Sequence, residues 1–352
     1  MEKSLMKGNE ACAEAAIRAG CKCYFGYPIT PQNEITAYMS KCLPKIEGGV
    51  FVQAESEIGA VNMLYGCAGS GVRCMTSSSS PGISLKAEGI SYLAGADLPC
   101  VIVNIQRGGP GLGTIQPSQA DYWQATKAMG HGDLRIPTLA PNSVQEMVDM
   151  TTKAFKIAEK YRTPVMILAD GLLGQMMEPV NFSDETLSCE PYSFGANGHG
   201  NKRPKNIINS LYLDPLKLEE RINERFARYE KIRLNESAAD YDKGAKIVVA
   251  AYGSTARVAR SAVDKARAEG INAGLFRPQT LWPFPEKQIK DATVNAKAVL
   301  VSEMSMGQMV DDVKMALEFK LPVEFFGRQG GFVPNPDEIL AKIKEMEGKY
   351  NA

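Results

Sequence analysis

Two α/β domains with largely parallel sheets are the fold this sequence predicts. Three observations carry that expectation. Short apolar runs alternate with segments at helical spacing along most of the chain. Pro99 to Ile105 is apolar at nearly every position, as a strand buried on both faces is. Ser183 to about Pro204, rich in Gly, Pro, Ser and Asn, interrupts the alternation, and a second one starts near Lys246. The expected limits are 1–182 for the first domain, 183–243 for a linker and charged helical arm, and 244–352 for the second domain. A length of 352 residues accommodates two domains of ~150 residues each.

Gly8 to Ala19 is a small-residue helix with Gly20 as its stop signal. Cys23-Tyr24-Phe25 is a short buried strand, followed by the turn Gly26-Tyr27-Pro28-Ile29-Thr30-Pro31. Tyr27 precedes a proline and is pushed toward an extended conformation. Thr30 sits where an N-cap belongs and Pro31 at the first helical position, ahead of the helical pattern Asn33 to Cys42. The result is a stiff turn carrying one hydroxyl at the C-terminal end of a strand, the edge where open α/β sheets bind ligands. Val50 to Gln53 is a second strand. Ser56 is the N-cap of a helix from about Glu57 to Ala68, with Gly69 or Gly71 past its end. Val72 to Thr76 is a third strand, ending in the polar turn Ser77-Ser78-Ser79-Ser80-Pro81-Gly82. A helical segment then runs to about Ala94.

After the Pro99–Ile105 strand, Gly108 to Pro141 is a long connection with room for a short helix between Gln119 and Ala128. Such lengths inside a compact domain are usually functional or mobile. Ser143-Val144-Gln145-Glu146 is a capping box. It opens a helix whose stripe includes Val144, Met147, Val148, Thr151, Ala154, Phe155 and Ala158. Pro164 to Ala169 is a further strand. Leu216 to Arg233 is charged, with Leu218, Ile222, Phe226 and Tyr229 at helical spacing, and reads as an amphipathic arm. The second domain has strands at Ile247–Tyr252, Ile271–Phe276, Ala298–Ser302 and Val323–Phe326. A helix runs from Thr255 to just before Gly270, and Arg277 to Pro285 is rich in turns.

The charge balance excludes several function classes. Lys plus Arg and Asp plus Glu are both 40, which argues against nucleic acid or an anionic membrane as the main partner. No 18-residue apolar run and no signal-peptide pattern occur, so a cytoplasmic chain that spans no membrane is expected. The eight cysteines are Cys12, Cys21, Cys23, Cys42, Cys67, Cys74, Cys100 and Cys189, and several fall in apolar patterns as small core residues. No Cys-x-x-Cys is present, and His131 and His199 are the only histidines, so no metal or cluster site is expected on this chain. Gly109-Pro110-Gly111-Leu112-Gly113 has the wrong spacing for a dinucleotide fingerprint. No Gly-x-Ser-x-Gly elbow is present.

Tyr27-Pro28-Ile29-Thr30-Pro31 resembles the substrate-turn motif of the thiamine-diphosphate-dependent 2-oxoacid:ferredoxin oxidoreductases. Over nearly its whole length the chain resembles their alpha subunit, which carries the pyrimidine-binding domain. Its second domain resembles the C-terminal domain of transketolase-like enzymes, which packs subunits together and holds no cofactor. The cofactor of such enzymes needs a carboxyl group against N1′ of its aminopyrimidine. Glu55 and Glu57 both lie just past the second strand, and the family pattern, with Gly59 and Ala60 following, assigns the role to Glu57. The residues alone also allow a simpler reading of Glu57, as an acid favoured in a first helical turn by the helix dipole.

Arg107 ends a buried strand on the same sheet edge as Thr30. A guanidinium holds a carboxylate with two parallel hydrogen bonds, and the resemblance implies that Arg107 and Thr30 bind the 2-oxoacid. A strand-end arginine is otherwise simply solvated. Pro28 and Ile29 are implied to contact the cofactor. The family grips the diphosphate through a metal held by Gly-Asp-Gly and a downstream Asn. Ala169-Asp170-Gly171 lacks the leading glycine and the asparagine. The resemblance therefore implies a beta subunit carrying the diphosphate and Mg2+, with iron–sulfur clusters on gamma and ferredoxin-like delta partners. The implied reaction decarboxylates a 2-oxoacid, reduces ferredoxin and transfers the acyl group to coenzyme A, with Gly108–Pro141 closing over the substrate. Gly113-Thr114-Ile115-Gln116-Pro117-Ser118-Gln119 is most similar to the branched-chain, 2-oxoisovalerate members. The alternatives are a 2-oxoglutarate enzyme, a non-catalytic assembly subunit and a transketolase-type half enzyme.

Overall fold

The structure, a computed structural model, describes residues 3–183 and 190–350. Cys189 and part of the expected linker lie outside the described residues. In chain order the elements are β1 (Ser4–Lys7), α1 (Gly8–Arg18), β2 (Cys23–Gly26), α2 (Asn33–Cys42), β3 (Val50–Gln53), α3 (Glu57–Gly69), β4 (Cys74–Ser78), α4 (Pro81–Gly95) and β5 (Cys100–Gln106). Next come α5 (Tyr122–Thr126), β6 (Thr138–Leu139), α6 (Val144–Tyr161), β7 (Pro164–Asp170), α7 (Gly171–Gln175), β8 (Met177–Val180) and α8 (Pro215–Glu236). The remainder is β9 (Ala239–Tyr241), β10 (Ile247–Ala250), α9 (Gly253–Ala268), β11 (Ala273–Pro278), β12 (Thr280–Trp282), α10 (Glu286–Ala292), β13 (Ala298–Glu303), α11 (Met309–Ala316), β14 (Val323–Gly327) and α12 (Pro336–Tyr350).

Seven strands make the first sheet, in the order β12-β6-β7-β5-β4-β2-β3, with every neighbouring pair parallel except β12–β6. Its central strand explains the apolar run at residues 100–106. Val101, Val103 and Ile105 enter one core, under α1, α2 and α6, while Cys100 and Ile102 enter the other, under α3 and α4. A strand covered on both faces has no side on which a polar residue is free of cost. Five strands make the second sheet, in the order β14-β13-β10-β11-β9, antiparallel only at β9.

Several elements depart from expectation. β1 and β8 pair antiparallel, which neither sequence pattern announces. β9 arises inside the stretch read as linker and arm. β12 comes from the turn-rich stretch after β11, yet it joins the first sheet, so the two sheets are stitched by one excursion of the chain. β4 is shifted toward the serine run, and Ser77 and Ser78 are strand residues rather than turn residues. Ser77 is tolerable there because its hydroxyl contacts Tyr24 Oη at 2.7 Å and Gln32 Oε1 at 2.5 Å.

The long connection after β5 is exposed from Gly109 to Gly113 and is anchored further on, at Ser118 and Gln119. Gln119 is fully buried within it. Its side chain donates to Tyr252 O (2.8 Å) and accepts from Thr255 Oγ1 (2.7 Å) and Met304 N (3.0 Å). Every one of those partners belongs to the second sheet's layer. Arg277 of β11 adds a two-bond pair to Glu146 of α6, both bonds 2.8 Å. The arm α8 also docks differently from its apolar stripe. Leu218 and Phe226 remain exposed, while Arg221, Arg225 and Arg228 converge on Asp97 after α4.

Candidate active site

The C-terminal ends of β5, β4, β2 and β3 lie side by side in the first sheet. They deliver Arg107, the Ser79-Ser80 pair, the Tyr27–Pro31 turn and Glu57 to one edge. Thr30 and Arg107 are brought together: Arg107 Nη1 donates to Thr30 O at 3.0 Å, and Nη2 to Leu112 O at 3.4 Å. Arg107 Nε is buried without a partner among the described residues. Behind it, Ser80 Oγ accepts from Arg107 N (3.0 Å) and donates to Asp121 Oδ2 (2.6 Å), which also accepts from Asn104 Nδ2 (2.9 Å). Burial pushes the Asp121 carboxyl above its ordinary range, against those hydrogen bonds and the nearby Arg107 charge.

Thr30 does not cap α2. The helix begins at Asn33 with Gln32 in the cap position, and no side chain caps it. Gln32 is drawn into the sheet instead, where its Oε1 meets Ser77 Oγ and its Nε2 donates to Tyr27 O at 3.3 Å. Pro31 follows a cis peptide bond, packs over Gly171, and presents its carbonyl to Asn9 Nδ2 at 2.8 Å. These tertiary contacts outweigh the local preference of Thr-Pro for a helix start. The Thr30 hydroxyl is left with one described donor, Asn33 Nδ2 at 3.1 Å. Pro28 is exposed and Ile29 half-buried.

Glu57 and Glu55 part company. Ser56 caps α3 as expected, accepting from Gly59 N at 3.1 Å. That cap turns Glu57 inward, where it is buried, and leaves Glu55 exposed beside Gly59. The Glu57 carboxylate lies over Gly82 of α4. A Cβ at that glycine would stand 2.8 Å from Glu57 Oε1 and 2.1 Å from Ser78 Oγ, so the approach needs a residue without a side chain. Among the described residues no group donates a hydrogen bond to Glu57, and the buried hydroxyls of Ser78 and Ser79 also lack partners.

One buried charge near the site escaped sequence reasoning. Lys86 is fully buried, its Nζ donating to Thr76 Oγ1 (2.6 Å) and Ser77 O (3.0 Å). Burial drives its ammonium down to about 7, and the neighbouring Glu57 carboxylate opposes that fall. The signal was available: Lys86 sits three residues after Ile83 and four before Ile90, on a helix stripe that is otherwise apolar.

These residues fit the aminopyrimidine end of thiamine diphosphate. A buried, undonated carboxylate, two unpartnered hydroxyls and a glycine that clears the approach are what a polar heterocycle with its own donors requires. No group of three or more His, Cys, Asp or Glu among the described residues could hold a metal ion. Asp170 serves the fold: it caps α7 through Leu172 N and Leu173 N and accepts from Ser254 Oγ at 2.6 Å. No helix among the described residues is long and apolar enough to cross a membrane.

Residues 14–234 match the thiamine-diphosphate-binding domain of pyruvate flavodoxin/ferredoxin oxidoreductases, and residues 245–339 match core domain II of pyruvate:ferredoxin oxidoreductase. The chain belongs to this family of 2-oxoacid:ferredoxin oxidoreductases. It is similar to ketoisovalerate oxidoreductase subunit VorB of Methanothermobacter thermautotrophicus, with 49% identity over 99% of both chains. It is also similar to 2-oxoglutarate synthase subunit KorA of the same organism, with 38% identity over 98% of this chain and 99% of that one. A solved 2-oxoglutarate:ferredoxin oxidoreductase from Magnetococcus marinus, with 2-oxoglutarate, coenzyme A and succinyl-CoA bound, superposes with a TM-score of 0.86 at 25% identity, over 98% of this chain and 65% of that one. The chain is thus an oxidoreductase subunit whose relatives work as parts of multi-subunit enzymes.

Proposed function

We propose that this chain is the pyrimidine-domain subunit of a complex that oxidatively decarboxylates 2-oxoisovalerate. The products would be carbon dioxide and the branched acyl-CoA, with two electrons passing to ferredoxin. The observation that carries the reading is the Thr30–Arg107 pair on the same sheet edge as the buried, undonated Glu57. Thiamine diphosphate, when bound, supplies the nucleophile for the keto carbon and the sink for the electrons left as carbon dioxide departs. Glu57 would hold N1′ of the aminopyrimidine and keep a proton at that atom. Arg107, tied to Thr30 O, would present its free N–H groups to the substrate carboxylate, and the Thr30 hydroxyl would orient the keto group. Pro28 and Ile29 would flank the cofactor ring.

A branched aliphatic substrate is favoured over a dicarboxylate by the wall beyond Thr30. The cavity there, about 550 Å³, includes Pro31, Ile115, Pro117, Leu172 and Val333, and its charged residue is Glu34. The Glu34 carboxyl sits below its usual range, held there by hydrogen bonds from Asn9 and Gln175 and by Lys7, against the effect of burial. A second substrate carboxylate would meet like charge. The VorB subunits named for ketoisovalerate are 49% identical to this chain, against 38% for the KorA subunits of the same two organisms, named for 2-oxoglutarate.

The reading places the diphosphate and Mg2+ on a beta subunit and the iron–sulfur clusters on gamma and ferredoxin-like delta subunits, all in the cytoplasm. The absence of a Gly-Asp-Gly and Asn metal motif supports that division. The test is co-purification of the chain with its partner subunits, then a 2-oxoacid panel with coenzyme A and a low-potential electron acceptor. Turnover led by 2-oxoisovalerate supports the proposal. Preference for 2-oxoglutarate refutes the substrate, and robust activity of this chain alone refutes the divided site.

A further inference from the structure

We propose that Asn9 is a positioning residue for the substrate turn, its amide holding Pro31 and Glu34 in place so that Thr30 meets Arg107. This rests on the reading that Thr30 and Arg107 bind the 2-oxoacid. Asn9 is fully buried at the start of α1. Its Nδ2 donates to Pro31 O at 2.8 Å and to Glu34 Oε2 at 2.8 Å. An amide that faces two acceptors must present its NH2 group to them, so the partners settle which way Asn9 points. Gln175 of α7 binds the same two residues, donating to Glu34 Oε1 at 2.8 Å and to Pro31 O at 3.5 Å. Lys7 adds an ion pair to Glu34 at 3.5 Å. Two amides from elements far apart in the chain thus share two acceptors at the start of α2.

Asn9 has no room to shift. A Cβ at Gly174 would stand 2.6 Å from Asn9 Oδ1, and one at Gly8 would stand 2.2 Å from Leu173 O, so α1 and α7 meet at a distance only glycine allows. Asn9 Oδ1 is buried without a partner among the described residues. A buried acceptor left unpaired lowers stability, and an apolar residue of the same shape would avoid that loss. What asparagine supplies is the pair of N–H groups on the turn. The turn has few other holds. No side chain caps α2, the Thr30 carbonyl accepts from Arg107 Nη1 at 3.0 Å, and the Thr30 hydroxyl accepts from Asn33 Nδ2 at 3.1 Å. Pro31 has no N–H, so its carbonyl is the backbone handle next to Thr30. Thr30, Pro31, Glu34 and Gln175 line the cavity beside the turn, and Asn9, fully buried, acts through them.

The test uses the assembled complex. Asn9→Leu keeps the shape of the side chain and removes both N–H groups. Hydrogen exchange read by mass spectrometry is expected to run about tenfold faster over residues 27–34, with no change over β5. The KM for 2-oxoisovalerate is expected to rise about tenfold, the low end of what a hydrogen bond to a charged group is worth. Thiamine diphosphate affinity, read by calorimetry, should stay within a factor of about two. A double-mutant cycle separates positioning from a merely structural role. If Asn9 acts through the tie of Thr30 to Arg107, Asn9→Leu changes the KM of an Arg107→Ala complex by less than about twofold. Two effects that multiply in full, or exchange over residues 27–34 that keeps its original rate, overturn the proposal. Should Asn9→Leu fail to assemble, Gln175→Leu, at an exposed position, decides by the same readings. If exchange over residues 27–34 speeds up while Arg107→Ala and Thr30→Val leave every kinetic constant unchanged, the substrate site is misassigned, and that failure is told apart from failure of the clamp.

Discussion

Arg107→Ala is the sharpest test of the substrate site. The guanidinium carries five N–H donors. One is committed to Thr30 O and one to Leu112 O, and the buried Nε–H has no partner among the described residues. Free donors therefore remain for a substrate carboxylate without breaking the tie to the turn. One charged hydrogen bond is worth about 1.5–3 kcal/mol, which corresponds to a loss of roughly 10- to 150-fold in kcat/KM. Arg107→Lys keeps the charge but not the fork, so its loss should be smaller. The assay is 2-oxoacid-dependent reduction of a low-potential acceptor by the assembled complex, with substrate varied. Thiamine diphosphate affinity, measured in parallel by calorimetry, should stay within a factor of a few, because Arg107 stands apart from Glu57 on the sheet edge. Unchanged kcat/KM on every 2-oxoacid would refute the carboxylate role. A loss confined to assembly would reduce Arg107 to a tie for the Thr30 turn.

The other predictions concern cofactor activation, stability and pH. Glu57→Gln should lower turnover by several orders of magnitude with assembly intact, as gel filtration and turnover together would show; if only Glu55→Gln does so, the inward-facing carboxylate is the wrong one. Arg277→Met should destabilise the fold by about 3 kcal/mol, the low end of the range for breaking a buried pair, since Glu146 is partly exposed and can recover water. An unchanged thermal midpoint would show that the two layers do not depend on that pair. Lys86 also gives stability a pH dependence. Its folded value, about 7, lies below that of an unfolded lysine, so the unfolded chain binds the proton more tightly above pH 7. Stability contributed by this group is thus present above about 10.5 and lost as pH falls through about 7. The stability difference between the unsubstituted complex and Lys86→Met should shift in favour of the former between pH 7 and pH 9; a flat difference would contradict the burial of a charged group there.

Local chemistry was legible wherever a single segment determines its own shape. The Ser56 and Ser143 caps appear where the sequence places them, because an N-cap needs only its own hydroxyl and an amide three residues on. The doubly buried β5 was equally plain, since both faces had to be apolar. Thr30 illustrates the opposite case. Its cap signal is sound locally, but Gln32 finds Ser77 across the sheet, and contacts of that kind leave no trace in the neighbouring residues. β12 escaped for the same reason, its partner lying more than a hundred residues away. Lys86 lay between these cases: its place on an apolar stripe marked it as buried, but its partners, Thr76 and Ser77, lie on a strand across the layer.

The return of β12 to the first sheet bears on how the chain is made. A ribosome releases residues in order, so every strand from β2 to β7 is available before Trp282 has been synthesised. Until then β6 presents an unpaired edge to the crowded cell. A nascent first sheet is exposed to strand pairing with other chains for the time needed to translate some hundred further residues. Expression of a fragment ending before β12 would make that interval permanent, and the fragment should aggregate even though it contains Thr30, Glu57, Lys86 and Arg107.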